Sequence, residues 1–122
     1  MEKRKMSIVI TVWYKCKPGL RPACEEIAKK NVIETRKEEG NIYYNHYPSM
    51  ENDDEMFVIE VWENIEAVQR HISMPHYLDF SAKRKPMLVE GSYRYVVYEG
   101  DAIERGDGIA TWSDKVNVEK LK

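Results

Sequence analysis

The chain has 122 residues, of which 43% are hydrophobic and 33% charged, as is usual for one globular domain with a single core. Its net charge is −2 with both signs interspersed, so it lacks the basic face that nucleic-acid binding requires. No window approaches the roughly 20 uninterrupted apolar residues of a membrane span, and no signal-peptide core follows the basic start, which predicts a cytoplasmic protein.

The first half of the chain predicts a strand, a helix and a hairpin. Residues 7–16 are rich in β-branched and aromatic types, which predicts strand one. A Pro-Gly turn follows, and apolar residues then recur at helical spacing, so helix one is expected from about 20 to 39. Residues 41–47 and 56–62 are predicted to be strands two and three, joined by a polar loop.

The second half predicts a broken helix and a last strand. Asn64 can cap a second helix, which Pro75 interrupts before a further helical piece. Residues 92–98 are predicted to be strand four. The order β-α-β-β-α-β is the ferredoxin-like split βαβ arrangement, an α+β fold whose helices cover one face of an antiparallel sheet.

The uncovered face of this sheet predicts a homodimer. Its positions on strands two and three are mostly apolar or aromatic: Tyr43, Asn45, Tyr47, Phe57, Ile59 and Val61. Such a face does not stay in water, and a second copy of the chain closes it as an isologous dimer. Residues 1–98 would then be the domain. Residues 99–122 are a C-terminal extension, expected to pack on its own or the partner protomer through the apolar stretch 109–118.

Polar side chains occupy positions where a plain core would be apolar. A buried polar group without a partner costs roughly 1–3 kcal/mol, so such residues satisfy one another or line a wet pocket. A pocket between helices and sheet is therefore expected. The residues concerned lie on helix one, strand two, strand three and helix two: Asn31, Thr35, Tyr44, His46, Glu60, Trp62 and His71.

Each of these residues also has a purely structural interpretation. His71 and His46 can be satisfied core histidines, and Glu60 can pair with a basic neighbour. Asn31 can hydrogen-bond its own helix, and His76 can be a surface residue at a helix start. An acid in an apolar strand next to a histidine is nevertheless a recognised way to tune a pKa.

The cysteines and histidines indicate neither a disulfide nor a metal centre. Cys16 and Cys24 are predicted to be free thiols, because the expected compartment is reducing and the domain can bury a core. His46, His71 and His76 lack Cys-x-x-Cys partners or a His-x-x-x-His pair, so no zinc signature is present. Glycine-rich nucleotide loops and a Gly-x-Ser-x-Gly elbow are also missing from the sequence.

Four segments resemble the antibiotic biosynthesis monooxygenase family, which includes bacterial quinol monooxygenases. They are Lys37–Gly40, Ile59–Glu63, Glu66–Ala67 and His71–His76, and they carry an ordered Glu-Glu-Gly, Glu-x-Trp and His-x-x-x-Pro-His. The resemblance covers residues 7–98 and implies a dimeric ferredoxin-like α+β barrel.

The resemblance further implies oxidation of quinols or other electron-rich aromatic molecules by dioxygen, without metal, flavin or other cofactor. A deprotonated quinol can itself pass an electron to oxygen, so the protein need only bind it, take a proton and stabilise the anion. His71 would be the base or anion stabiliser, Asn31 a hydrogen-bond donor, and Glu60 a group that tunes His71 if the two touch. The residues implied to bind the substrate are Trp62, His46, Tyr44, Thr35 and His76.

Other functions stay open. The same pocket can hold a small aromatic molecule without turnover, or serve an acid/base isomerase that works equally well under nitrogen. A structural dimer without a pocket would leave Asn31, Glu60 and His71 dispersed or facing solvent. Haem-degrading members of the family are less similar, because His71 stands at their helix tryptophan and Ser81 at their haem-ligating histidine. Members that isomerise a phosphorylated signalling sugar carry a histidine where this chain has Val32, so this chain departs from them as well.

Overall fold

A computed structural model describes residues 4–103. Within them one antiparallel sheet is formed by β1 (Arg4–Lys15), β2 (Asn41–Pro48), β3 (Glu55–Trp62) and β4 (Arg94–Ile103), in the order β2-β3-β1-β4. The helices are α1 (Arg21–Thr35), α2 (Ile65–His71) and α3 (Pro75–Arg84), and a 3₁₀ turn (Lys85–Met87) follows α3. The predicted ferredoxin-like α+β fold is confirmed.

The core lies between the helices and one face of the sheet. β1 is a central strand, paired with β3 on one side and β4 on the other, and its alternate residues Ile8, Ile10, Val12 and Tyr14 are buried. This alternation follows from the two-residue period of a strand, which sends successive side chains to opposite faces. None of the helices within residues 4–103 has the length and hydrophobicity of a membrane-spanning segment.

Helix one is shorter than predicted. It ends at Thr35, and the chain continues to β2 through a turn in which the amide of Glu38 donates to the carbonyl of Thr35. Hydrogen bonds to the third preceding residue replace the helical pattern, and Gly40 then adopts φ +86°, a left-handed conformation that suits glycine. Glu38 therefore lies in a turn and not on a helix.

The break between α2 and α3 is confirmed. The side chain of Asn64 caps α2 by accepting a hydrogen bond from the Ala67 amide at 3.0 Å, and Pro75 opens α3. Proline is tolerated at a first helical position because its missing N–H would have no partner there. The break places His71 at the end of α2 and His76 at the start of α3.

The last strand runs further than predicted. β4 begins at Arg94 and continues past Tyr98 to Ile103, pairing with residues 4–13 of β1. The rest of the predicted extension, including the stretch 109–118 that was expected to dock, lies outside the described residues.

Candidate functional site

A buried carboxylate joins the two histidines on either side of the helix break. Glu38 Oε2 lies 2.7 Å from Nδ1 of His71 and 2.8 Å from Nε2 of His76. The side chains of Glu38, His71 and His76 are 6%, 2% and 14% exposed. Hydrogen bonds to a charged group in such a low-dielectric interior are among the stronger ones in proteins, so this cluster holds α2 and α3 to the turn after α1.

The bond to Glu38 sets the tautomer of His71. A carboxylate only accepts, so Nδ1 of His71 carries the hydrogen. Burial lowers the pKa of His71 and outweighs the opposite effect of Glu38, so the ring is neutral near pH 7. Its Nε2 atom then carries a lone pair instead of a hydrogen. This atom is buried and has no hydrogen-bond partner among the described residues. A neutral imidazole with a free, oriented lone pair is the form that a general base requires.

Aromatic rings surround His71. Its ring centroid lies 4.7 Å from that of Tyr77, 4.8 Å from that of Trp62 and 5.6 Å from that of Tyr44. These rings provide the apolar surroundings that keep His71 uncharged.

A chain of hydrogen bonds leads from His76 through the core to β1. His76 Nδ1 lies 2.8 Å from Oδ1 of Asn31, whose amide nitrogen donates to the Tyr44 hydroxyl at 2.9 Å. The Tyr44 hydroxyl lies 3.1 Å from Nε2 of His46, and Nδ1 of His46 lies 3.0 Å from the Tyr14 hydroxyl. Burial lowers the pKa of His46 to about 3, so this second histidine is also neutral.

The Asn31 amide oxygen and the Glu38 carboxylate lie at the two ring nitrogens of His76. Thr35 donates to Oδ1 of Asn31 at 3.4 Å, and this oxygen faces Nδ1 of His76 while Glu38 faces Nε2. His76 therefore connects the Glu38 carboxylate to the hydrogen-bonded chain through the core.

Glu60 makes a separate contact, with Trp62. Its Oε1 accepts a hydrogen bond from Nε1 of Trp62 at 3.0 Å. Burial raises the pKa of Glu60 to about 7, although the Trp62 bond and the charge of Arg84 both lower it. The buried Arg84 guanidinium lies 4.5–5.1 Å from the centres of three aromatic rings, those of Tyr14, Phe80 and Tyr93.

Replacing Glu60 by glutamine is expected to remove a pH dependence of stability. Between pH 4.5 and about 7 the folded protein holds the Glu60 proton more tightly than the unfolded chain, so the free energy of unfolding falls as pH rises through this window. At 1.36 kcal/mol per pH unit the loss is roughly 3 kcal/mol. Urea unfolding of both proteins from pH 4.5 to 8 isolates this contribution, because all other groups titrate in both. Equal pH slopes would contradict the buried, protonated Glu60.

Two cavities beside α1 adjoin the hydrogen-bonded chain. One of about 410 Å³ lies between α1 and α3 and is lined by Asn31, His76 and Phe80, among others. The other, of about 430 Å³, lies between α1 and β2 and is lined by His46. Both are within the usual size of small-molecule sites. Glu60 and His71 do not line either of them.

The eight residues singled out in the sequence form one connected cluster. Direct contacts or the shared Glu38 carboxylate join Asn31, Thr35, Tyr44, His46, Glu60, Trp62, His71 and His76. The dispersed, solvent-facing arrangement that a purely structural dimer predicts is not found for Asn31, Glu60 and His71, which are all buried. Their roles in binding and catalysis stay predictions.

The sequence profile of the antibiotic biosynthesis monooxygenase family matches residues 6–83. The chain belongs to the antibiotic biosynthesis monooxygenase family. The match contains Glu38 and all eight residues of the cluster, but ends before Arg84 and β4. The resemblance carried by the Glu-Glu-Gly, Glu-x-Trp and His-x-x-x-Pro-His motifs is thus confirmed.

Relatives of this antibiotic biosynthesis monooxygenase domain occur in Bacillus subtilis. YcnE, a proposed monooxygenase, is 30% identical over 81 residues, which are 66% of this chain and 85% of YcnE. The uncharacterized protein YjcS is 41% identical over 51 residues, 42% of this chain. The chain spans only 49% of the length of YjcS.

Solved structures share the fold of this family. A proposed antibiotic biosynthesis monooxygenase from Nitrosomonas europaea aligns with a TM-score of 0.73 and 20% identity, over 80% of this chain and 92% of its own. SnoaB, a cofactor-independent oxygenase from Streptomyces nogalater, aligns with a TM-score of 0.66 and 12% identity, over 75% of this chain and 90% of its own.

Two buried polar residues of this antibiotic biosynthesis monooxygenase domain were not predicted as site residues. The sequence pattern predicts Glu60 as the acid beside His71, but it is Glu38 that forms this hydrogen bond. The one feature of the sequence that pointed to Glu38 was its place in the Glu-Glu-Gly motif. Arg84 had no signal in the sequence, because an arginine near a helix end is usually exposed.

Proposed function

We propose that this protein is a cofactor-independent monooxygenase that oxidises quinols or other electron-rich aromatic molecules with dioxygen. The observation that carries the proposal is the neutral, buried His71, whose Nδ1 is held by Glu38 and whose Nε2 has no partner among the described residues. Membership of the antibiotic biosynthesis monooxygenase family supports it, as does the shared fold of a cofactor-independent oxygenase.

His71 is the proposed base. Its Nε2 takes a hydroxyl proton from the quinol, and Glu38 stabilises the imidazolium that forms. The resulting phenolate passes electrons to dioxygen. One oxygen atom enters the ring and the other leaves as water, so quinol and dioxygen give a hydroxyquinone and water. The ring supplies all four electrons, and no external reductant is needed.

The neighbouring residues have proposed roles in binding and proton transfer. The cavity between α1 and α3 is the proposed entrance, with Asn31 as a hydrogen-bond donor and His76 linking it to Glu38 and His71. Trp62, whose ring lies beside His71, is the proposed wall of the ring site. Glu60, with its pKa raised to about 7, is the proposed second acid/base group. The remaining polar residues of the core would support Asn31 and His76. They are Tyr44, His46 and Thr35.

Oxygen uptake tests the proposal. Purified protein is mixed with a panel of reduced naphthoquinols, and uptake is corrected for autoxidation. We expect uptake well above the blank, with one atom of ¹⁸O₂ in the quinone product. Absence of uptake with every quinol would reject this substrate class, and equal turnover under nitrogen would identify an isomerase instead.

A dimer that binds small aromatic molecules without turnover is the second candidate. It is favoured by one observation, that Glu60 and His71 do not line either cavity of the cluster. Quenching of tryptophan fluorescence by a non-oxidisable naphthalene, without oxygen uptake by the matching quinol, would select this function.

We also propose that the protein is a homodimer closed by the free face of the sheet. Tyr43 lies opposite Val61, Asn45 opposite Ile59 and Tyr47 opposite Phe57 on β2 and β3. Tyr43 and Tyr47 are each 40% exposed in the single chain. An apolar face of this extent usually marks an interface.

Replacing Ile59 by lysine is expected to give a monomer, because a charge would be buried at the centre of that face. Light scattering after size exclusion should report twice the chain mass of 14.4 kDa for the wild type and one chain mass for the variant. Ile33→Lys, at a residue of α1 that is 56% exposed, is the matched control and should stay dimeric. A monomeric wild type would contradict the dimer.

A further inference from the structure

We propose that Glu38, His71 and His76 form a binding site for a divalent transition-metal ion of the zinc type. Each residue offers one ligand atom, and the three atoms lie within 4.8 Å of one another. Two imidazole nitrogens and a carboxylate oxygen are a recurrent ligand set for zinc. The inference does not depend on the proposed oxidation, because it is tested by binding alone; a bound ion would block that oxidation, since it places the His71 hydrogen on Nε2.

The ligand atoms are already close to the required spacing. Glu38 Oε2 lies 2.7 Å and 2.8 Å from the two nitrogens. Ligands held tetrahedrally at zinc distances lie roughly 3.3 Å apart, so the oxygen has to move away from both nitrogens, and the nitrogens, within 4.8 Å of each other, have to approach by shifts of about 1 Å each. The three side chains come from the turn after α1, the end of α2 and the start of α3, and the fold thus assembles a ligand set that no local motif announces.

Asn31 orients one of the ligands. Its Oδ1 lies 2.8 Å from Nδ1 of His76, and a hydrogen on that nitrogen leaves Nε2 free to bind a metal ion beside Glu38. Metal-binding histidines almost always donate their other ring N–H to such an acceptor. The Asn31 oxygen lies outside the group of three ligand atoms. It gives His76 the hydrogen-bond partner that a metal-binding histidine needs at its other ring nitrogen.

His71 is the ligand whose tautomer must change. Its Nδ1 hydrogen now points to Glu38, and it has to move to Nε2, which is buried and without a partner among the described residues. Binding therefore competes with the Glu38–His71 hydrogen bond.

The donor types select the class of ion. Imidazole suits Zn²⁺, Co²⁺ and Ni²⁺, whereas Mg²⁺ and Ca²⁺ prefer oxygen ligands. His76, one of the three ligands, lines the cavity between α1 and α3.

The test is a zinc titration of the metal-free, untagged full chain in competition with a chromophoric chelator. We expect one ion per chain with a Kd of about 10 µM or tighter, and no competition by excess Mg²⁺. Glu38→Gln and His76→Gln should each weaken binding at least tenfold. Glu39→Gln, at the exposed neighbour of Glu38, is the matched control and should bind as the wild type does.

Two results would overturn the site. One is a wild-type Kd weaker than about 10 µM, and the other is equal affinity in the Glu38→Gln and Glu39→Gln variants. Circular dichroism confirms that each variant is folded before titration. Should Glu38→Gln fail to fold, His76→Gln decides, because His76 is the most exposed of the three ligands.

Discussion

Replacing His71 by alanine is expected to lower quinol-dependent oxygen uptake by roughly 10²–10⁴-fold, which is the usual contribution of a positioned general base. The variant has no lone pair at the position of Nε2, and Glu38 keeps only His76 as a hydrogen-bond partner from the histidine pair. The measurement is kcat for oxygen uptake with a reduced naphthoquinol near pH 7, compared with the wild type.

His71→Asn separates the loss of the base from the loss of packing. An asparagine amide can still donate to Glu38 as Nδ1 does, but it has no basic nitrogen in place of Nε2. We therefore expect this variant to be as inactive as His71→Ala while unfolding closer to the wild type in urea. Activity of both variants within threefold of the wild type would remove His71 from the proposed chemistry.

The sequence predicted best which face of each strand and helix is buried. The two-residue period of β1 and the helical stripe through Asn31 and Thr35 both point inwards as expected, because periodicity depends only on the local backbone. The same reasoning identified His46 and Glu60 as buried polar residues. A buried polar group in a predicted core is informative since it requires a partner wherever it lies.

The partners themselves were not predictable, because they depend on contacts between distant segments. Glu38 reaches His71 only after the chain leaves helical geometry at Thr35, where the pattern predicted helix to residue 39. Arg84 is buried because rings from β1, from α3 and from the residue before β4 converge on its guanidinium. Neither a helical period nor a motif contains that information.

Gly40→Ala is expected to lower the free energy of unfolding by about 3 kcal/mol. Gly40 has φ +86°, which costs an alanine roughly 1–2 kcal/mol, and its added Cβ would lie 2.6 Å from Cβ of Ala67. Ala67 is 1% exposed on α2, so relieving the contact has to move the helix or the turn, at a further cost of roughly 1–3 kcal/mol. Urea unfolding at constant pH measures the sum.

Gly19→Ala is the matched control, because Gly19 has φ +82° with no atom within 4 Å of an added Cβ. The free energy of unfolding of Gly19→Ala should fall only by the roughly 1–2 kcal/mol that the left-handed backbone costs an alanine. Combining Gly40→Ala with Ala67→Gly should recover part of the loss, as a coupling of about 1 kcal/mol or more in the double-mutant cycle. Equal losses for Gly40→Ala and Gly19→Ala, or a coupling near zero, would show that α2 moves away from the added Cβ at little cost.

Because the Gly40 turn carries Glu38 and α2 carries His71, the close approach of this turn to α2 also sets the Glu38–His71 distance. Gly40→Ala should therefore reduce oxygen uptake even at temperatures where the variant is fully folded.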